Sequence, residues 1–189
     1  MLVLAACVLG LLSPLVAGRW PAGLLLHKWR WPLLIWATLI LQVVALQVEM
    51  PHGLAATVHI GTYVAAVAFL WLNRAFPGVL IVGAGAFING AVIALNGGTL
   101  PASAAAVERA GLDPDLAFDN SAVLEDPVLP WLGDVFAWPA PLPLANTFSV
   151  GDVLIVAGVW VAAWSGARRI GSSEDSSESP AEAPSQQSE

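Results

Sequence analysis

Charge is what this chain has least of: seven Lys and Arg and fourteen Asp and Glu in 189 residues, or 11%. A soluble domain has about a quarter of its residues charged, so this supply is too small to solvate the surface of a globule of this size. Cysteine is nearly absent, and a lone Cys7 excludes both an internal disulfide and a thiolate cluster. With Lys and Arg this scarce, the phosphate contacts that dominate nucleic-acid binding cannot be assembled. There is no Gly-x-Ser-x-Gly elbow, no phosphate-cradling loop with Lys, no His-Glu-x-x-His and no dinucleotide fingerprint. None of the common hydrolytic, phosphate-binding or redox machinery is visible, and no cofactor is implied.

Long apolar runs fill the space that charge leaves empty. The chain is 57% hydrophobic, with a mean hydropathy of +0.73, and its apolar residues run on without the polar face that a helix on an aqueous core would show. Five such runs lie near residues 2–17, 32–48, 54–72, 78–95 and 148–166. Each approaches the roughly 17–25 residues that a helix needs to cross about 30 Å of hydrocarbon. Backbone groups in lipid must be paired within their own segment, and no alternating pattern suggests barrel strands. The expected fold is therefore all-α, an integral membrane bundle of about five transmembrane helices within residues 1–170. The first run is the shortest and contains Pro14; no Lys or Arg precedes Arg19 and the cleavage residues are poor, so a retained helix is expected rather than a secretory signal.

The few positive residues set an orientation. Arg19, Lys28 and Arg30 fall in the first connection, Arg74 follows the third run, and Arg168 and Arg169 follow the fifth. Positive residues stay in the cytoplasm, which places the N-terminus outside and the C-terminus inside a bacterial cell membrane. Arg109, in a long outer loop, is the exception. Trp20, Trp29, Trp31 and Trp71 gather at the inner boundary, and Trp131 and Trp138 lie in the outer loop. Interfacial anchoring is the ordinary use of Trp in membranes. Trp160 and Trp164 share a face of the last helix, toward lipid or toward the bundle.

Two polar regions differ in kind. Residues 171–189 hold five acids and no base among Ser, Pro, Ala and Gln, a composition that cannot repay the entropy of ordering. A disordered acidic cytoplasmic tail is expected, and without it the net charge of −7 becomes −2. The loop 97–149 carries seven prolines and a net charge of −6, and its length suits a functional loop. Its apolar content predicts a structured cap, with a short helix near 103–110 ended by Gly111 and an interfacial segment near 129–138.

Motifs sit at the edges of this cap. Asn96-Gly97-Gly98 has the chemistry of a helix stop, and Ser149-Val150-Gly151-Asp152 that of a capping box at the start of the fifth helix. Asn89 and Asn96 are seven residues apart and share a helix face. With Asp134 and Asp152 they outline a polar stripe that either binds a cation or polar solute or docks the cap onto the bundle. His59 is the one ionisable side chain well inside a predicted span, placed for hydrogen-bonded packing with Thr57, Thr62 and Tyr63 or for a ligand or proton role. A metal site is not expected. Glu49 and His52 have a ligand spacing broken by Pro51, and His52 and His59 stand too far apart to share an ion. The Gly83-x-Gly85 pair points to close helix packing within the bundle or in an oligomer.

The run Asn89-Gly90, then Asn96-Gly97-Gly98-Thr99-Leu100-Pro101, then Leu132-Gly133-Asp134 and Ser149-Val150-Gly151-Asp152 resembles a bacterial family of multi-pass membrane proteins, classed as domain of unknown function 5317. The resemblance covers most of residues 1–167 and excludes the tail. Leu100 stands where the family pattern has Met. The resemblance implies a fold and a membrane address, but no reaction. Three functional classes follow: a non-catalytic membrane component that binds a protein partner or a second copy of itself through its cap or tail, a small transporter or channel using the polar stripe, and, third, a lipid-modifying enzyme.

Overall fold

Five long helices standing side by side make up about half of the described residues in the computed structural model, which describes residues 1–47, 51–113 and 121–170. They are α1 (Leu2–Val16), α3 (Pro32–Gln47), α4 (His52–Leu72), α5 (Val79–Leu95) and α7 (Val150–Trp164), with the short α2 (Ala22–Leu25) and α6 (Ala104–Ala110) in the connections. In space the order is α3, α4, α5, α7, α1, so α5 and α7 form the centre of the row. The expected tail and Glu49 lie outside the described residues.

The architecture is mostly helical but not all helical. Among the described residues six short strands pair two by two: β1 (Arg19–Trp20) with β6 (Arg168–Arg169), β2 (Leu100–Pro101) with β3 (Ser121–Ala122), and β4 (Asp134–Trp138) with β5 (Asn146–Ser149). The all-α expectation is corrected at the connections, where backbone groups that no helix satisfies find each other instead. Span length is the second difference. Among the described residues only Gly53–Leu72 is both long and apolar enough to cross a membrane. The apolar helices α1, α5 and α7 have 15, 17 and 15 residues, roughly 22–26 Å of rise. Positive-φ glycines bound several of these helices: Gly18 lies just past α1, Gly78 is the N-cap of α5, Gly97 follows its C-cap and Gly166 lies just past α7.

Glycine sets the distance between the two central helices. A Cβ on Gly78 would collide with the carbonyl of Gly158, and one on Gly85 with the carbonyl of Gly151. The pairs are two turns apart on both helices, so the seam brings backbone against backbone along much of its length. Gly83, by contrast, meets only the Leu70 Cβ at 3.6 Å. Of the expected pair, Gly85 carries the close approach.

The outer member of the row, α1, is fastened by indole rings. Trp160 lies against Gly10, and its Nε1 donates to the Ala6 carbonyl at 3.4 Å; Trp164 Nε1 donates to Ser13 Oγ at 2.8 Å. Of the two orientations expected for this pair, the bundle-facing one describes these bonds.

Asn73, nearly fully buried at the end of α4, donates from Nδ2 to the Arg30 carbonyl at 3.1 Å and accepts from the Arg30 amide at 2.8 Å. Trp29 packs against His27, Phe69 and Phe76 beside it. With β1 paired to β6, these contacts bring Arg19, Lys28, Arg30, Arg74, Arg168 and Arg169 to one end of the bundle. The cap stands at the other.

Candidate functional site

The junction of cap and bundle is built by a strand that becomes a helix. Ser149 is both the last residue of β5 and the N-cap of α7, and its Oγ accepts from the Asp152 amide at 3.0 Å while Asp152 Oδ2 accepts from the Ser149 amide at 2.9 Å. This is the expected capping box, complete in both directions. Asn89 of α5 closes the arrangement: its Nδ2 donates to Asp152 Oδ1 at 3.0 Å and its Oδ1 accepts from Ser149 Oγ at 2.9 Å. Gly151 has no side chain because the Asn89 amide occupies that space.

The hairpin adds the second carboxylate. Asp134 pairs with Ser149 across β4 and β5, and its carbonyl accepts from the Ser103 amide at 3.0 Å, so it is held from both sides. Its side chain is 4% exposed. Oδ2 accepts from Thr147 Oγ1 at 3.3 Å, whereas Oδ1 is buried with no hydrogen-bond partner. Burial, with a smaller contribution from the nearby Asp152 charge, lifts the pKa of this carboxyl to about 6, the hydroxyls of Ser121 and Thr147 offsetting part of the rise. A buried carboxylate with an unused acceptor oxygen is costly unless something donates to it.

Asp134, Asp152 and Asn89 line one cavity of about 170 Å³, closed by Tyr63 of α4, Leu100, Ser121, Asn146, Thr147, Met1 and Val3. No Lys, Arg or His side chain is among these residues, and the cationic group they do include is the α-ammonium of Met1. Among the described residues no three His, Cys, Asp or Glu side chains are grouped to hold a metal ion. The chamber is acid-lined and rich in acceptors, suited to a small donor such as an ammonium group.

The other expected site residues go elsewhere. Asn96 clamps the cap: its Nδ2 donates to the carbonyls of Val92 at 2.7 Å and Val128 at 2.9 Å, and its Oδ1 accepts from the Val128 amide at 2.8 Å. Gly97 and Gly98 take positive φ beside it, at 68° and 100°, and end α5. His59 is buried on α4 with its ring 5.4 Å from Tyr63, and does not line the chamber. The stripe thus divides into a chamber at Asn89 and a latch at Asn96.

Ser121, Thr147 and Asn146 belong to the chamber and escaped the sequence reading. The usable signal was the alternation Thr147-Phe148-Ser149, which puts both hydroxyls on one strand face with Phe148 opposite, where it stacks on Phe136 at 5.3 Å. Ser121 carried no such signal.

The model of a family of unknown function, DUF5317, matches residues 26–164. An uncharacterized protein of Thermotoga maritima is 35% identical over 95 residues, 49% of this chain and 54% of that protein, so the chain spans about half the length of the curated relative it matches. No solved structure matches the chain.

Proposed function

Because this chain belongs to the DUF5317 family of unknown function, its activity is read from its own geometry, and we propose that it is a multi-pass membrane protein binding a small ammonium-bearing solute beneath its outer cap. The observation that carries the site is the orphaned Oδ1 of Asp134 in an acid-lined chamber. At neutral pH the carboxyl is mostly ionised, and an ammonium group would supply the missing donor as a charge-assisted hydrogen bond.

Membrane residence rests on exposure. The apolar span Gly53–Leu72 is only 17% buried within the protein, and Leu4, Leu33, Trp36, Ile40, Val64 and Phe87 all stand exposed on the long helices. Apolar surface on this scale calls for a lipid solvent. The helices too short to cross alone are accommodated by local thinning of the bilayer. The basic end then faces the cytoplasm and the cap faces outward.

The hydroxyls of Ser121 and Thr147 beside Asp134 have only a carboxylate for a base, with no His or Lys among the lining residues, which favours binding over catalysis. A second reading, a component that recruits a basic protein partner, is favoured by the exposed acids Glu108, Asp113, Glu125 and Asp126 on the cap. Recovery of a stoichiometric partner through the cap would support it. The solute reading is tested by melting the purified protein in detergent with methylammonium chloride against equal sodium chloride. Wild type gains stability with methylammonium and Asp134→Asn does not; equal melting of wild type in both salts overturns the reading.

A further inference from the structure

The chamber has an apolar neighbour. A groove of about 760 Å³ runs down the seam between α1 and α7 beneath the hairpin, walled by Leu2, Leu9, Val153 and Ala157 and flanked by Trp138 and Trp160. Its size lies within the range of about 300–1,000 Å³ typical of ligand sites. Of all its lining residues only Asp152 is ionisable, and Asp152 and Val3 line the polar chamber as well. An acid-lined chamber and an apolar channel therefore share one wall.

Resting on the solute reading above, we infer that the ligand is an amine-bearing lipid of the surrounding membrane, its ammonium head in the chamber and one hydrocarbon chain in the groove. Two features select this occupant. The first is continuity: a ligand that fills both spaces must carry charge at one end and none along the other. The second is charge: the carboxylates of Asp134 and Asp152 accept a cationic head and repel an anionic one. From Leu2 to Leu9 the groove follows α1 for roughly 10 Å, long enough to hold the upper part of a chain. Ordinary bilayer lipid covers any apolar seam, so the head, not the chain, is what distinguishes a site from a surface.

Brominated chains quench tryptophan on contact, and Trp138 and Trp160 flank the groove. The protein is placed in nanodiscs of phosphatidylglycerol containing a small, equal fraction of brominated phosphatidylethanolamine or brominated phosphatidylglycerol. The amine lipid should reach half-maximal quenching at an about tenfold lower fraction, equivalent to about 1.4 kcal/mol. That preference should vanish in Asp134→Asn, which loses the charge, and in Ala157→Phe, which fills the groove. Ala157 and Leu9 are exposed, so Ala157→Phe disturbs no core, and Leu9→Trp fills the groove from the other side should the first variant fold poorly. Equal quenching by the two lipids in wild type overturns the inference, as does a preference that survives both groove-filling variants. If methylammonium still stabilises wild type in that event, the chamber stands and only its lipid occupant falls.

Discussion

Asp134 is the residue on which the chemistry turns, and its protonation has a sign that can be worked out. The unfolded chain releases this proton near pH 4, as carboxyls ordinarily do, and the folded protein near pH 6. Between those values the folded state holds more protons, so stability falls as pH rises through the window and stays lower above it. About two units at about 1.4 kcal/mol each give a loss of about 3 kcal/mol. Asp134→Asn should remove this slope and melt higher than wild type above pH 6; Asp152, Tyr63 and the α-amino group of Met1, whose residues line the same cavity, are present in both proteins. Parallel melting curves from pH 4 to 7 would contradict the burial argument. Affinity for an ammonium ligand should move the other way in wild type, weakening as pH drops below about 6 and the carboxylate is protonated. Asn89→Ala leaves the hydroxyl of Ser149 and one oxygen of Asp152 without their partner, and should cost about 1–3 kcal/mol by thermal or denaturant melting.

Helices were legible because their signal is continuous: an unbroken apolar run reads the same wherever the helix packs, and the ends of α1, α3, α4, α5 and α7 fall close to the ends of the runs. The capping box was legible for the same reason, since Ser149 and Asp152 satisfy each other locally. The hairpin was not. Asp134–Trp138 and Asn146–Ser149 are so short that their alternation covers only a few residues, and each depends on the other for its hydrogen bonds. Nor does sequence distinguish Asn89 from Asn96, which occupy one face of α5 yet end in a chamber and a latch because of what folds against them. At this scale the glycine seam gives a paired prediction. Gly85→Ala should force α5 and α7 apart and cost about 1–3 kcal/mol, whereas Gly83→Ala, with ordinary contact distances around it, should be neutral or raise stability by up to about 1 kcal/mol through helix propensity. Melting both variants in the same detergent decides it.

Across the whole molecule, charge is divided between the ends. Six basic side chains cluster around the paired strands β1 and β6, and the cap at the opposite end carries the acids Glu108, Asp113, Glu125, Asp126 and Asp134. The polarity was readable because it is a matter of counting residues along the chain; that the first and last connections touch was not, because no local pattern announces it. With Cys7 replaced by Ser, a cysteine at Glu125 should react with a membrane-impermeant maleimide in intact cells, and one at Arg168 only after lysis. The reverse labelling would invert the proposed orientation.

The β1 and β6 pairing also dictates an order of assembly. Helix α1 has its main neighbour in α7, and Trp160 and Trp164, which grip it, are synthesised about 150 positions later. Until then Gly10 and Ser13 of α1 are uncovered, a long-range closure of the kind that slows folding and invites premature association. Helix α7 must be made before the protein can shut this seam.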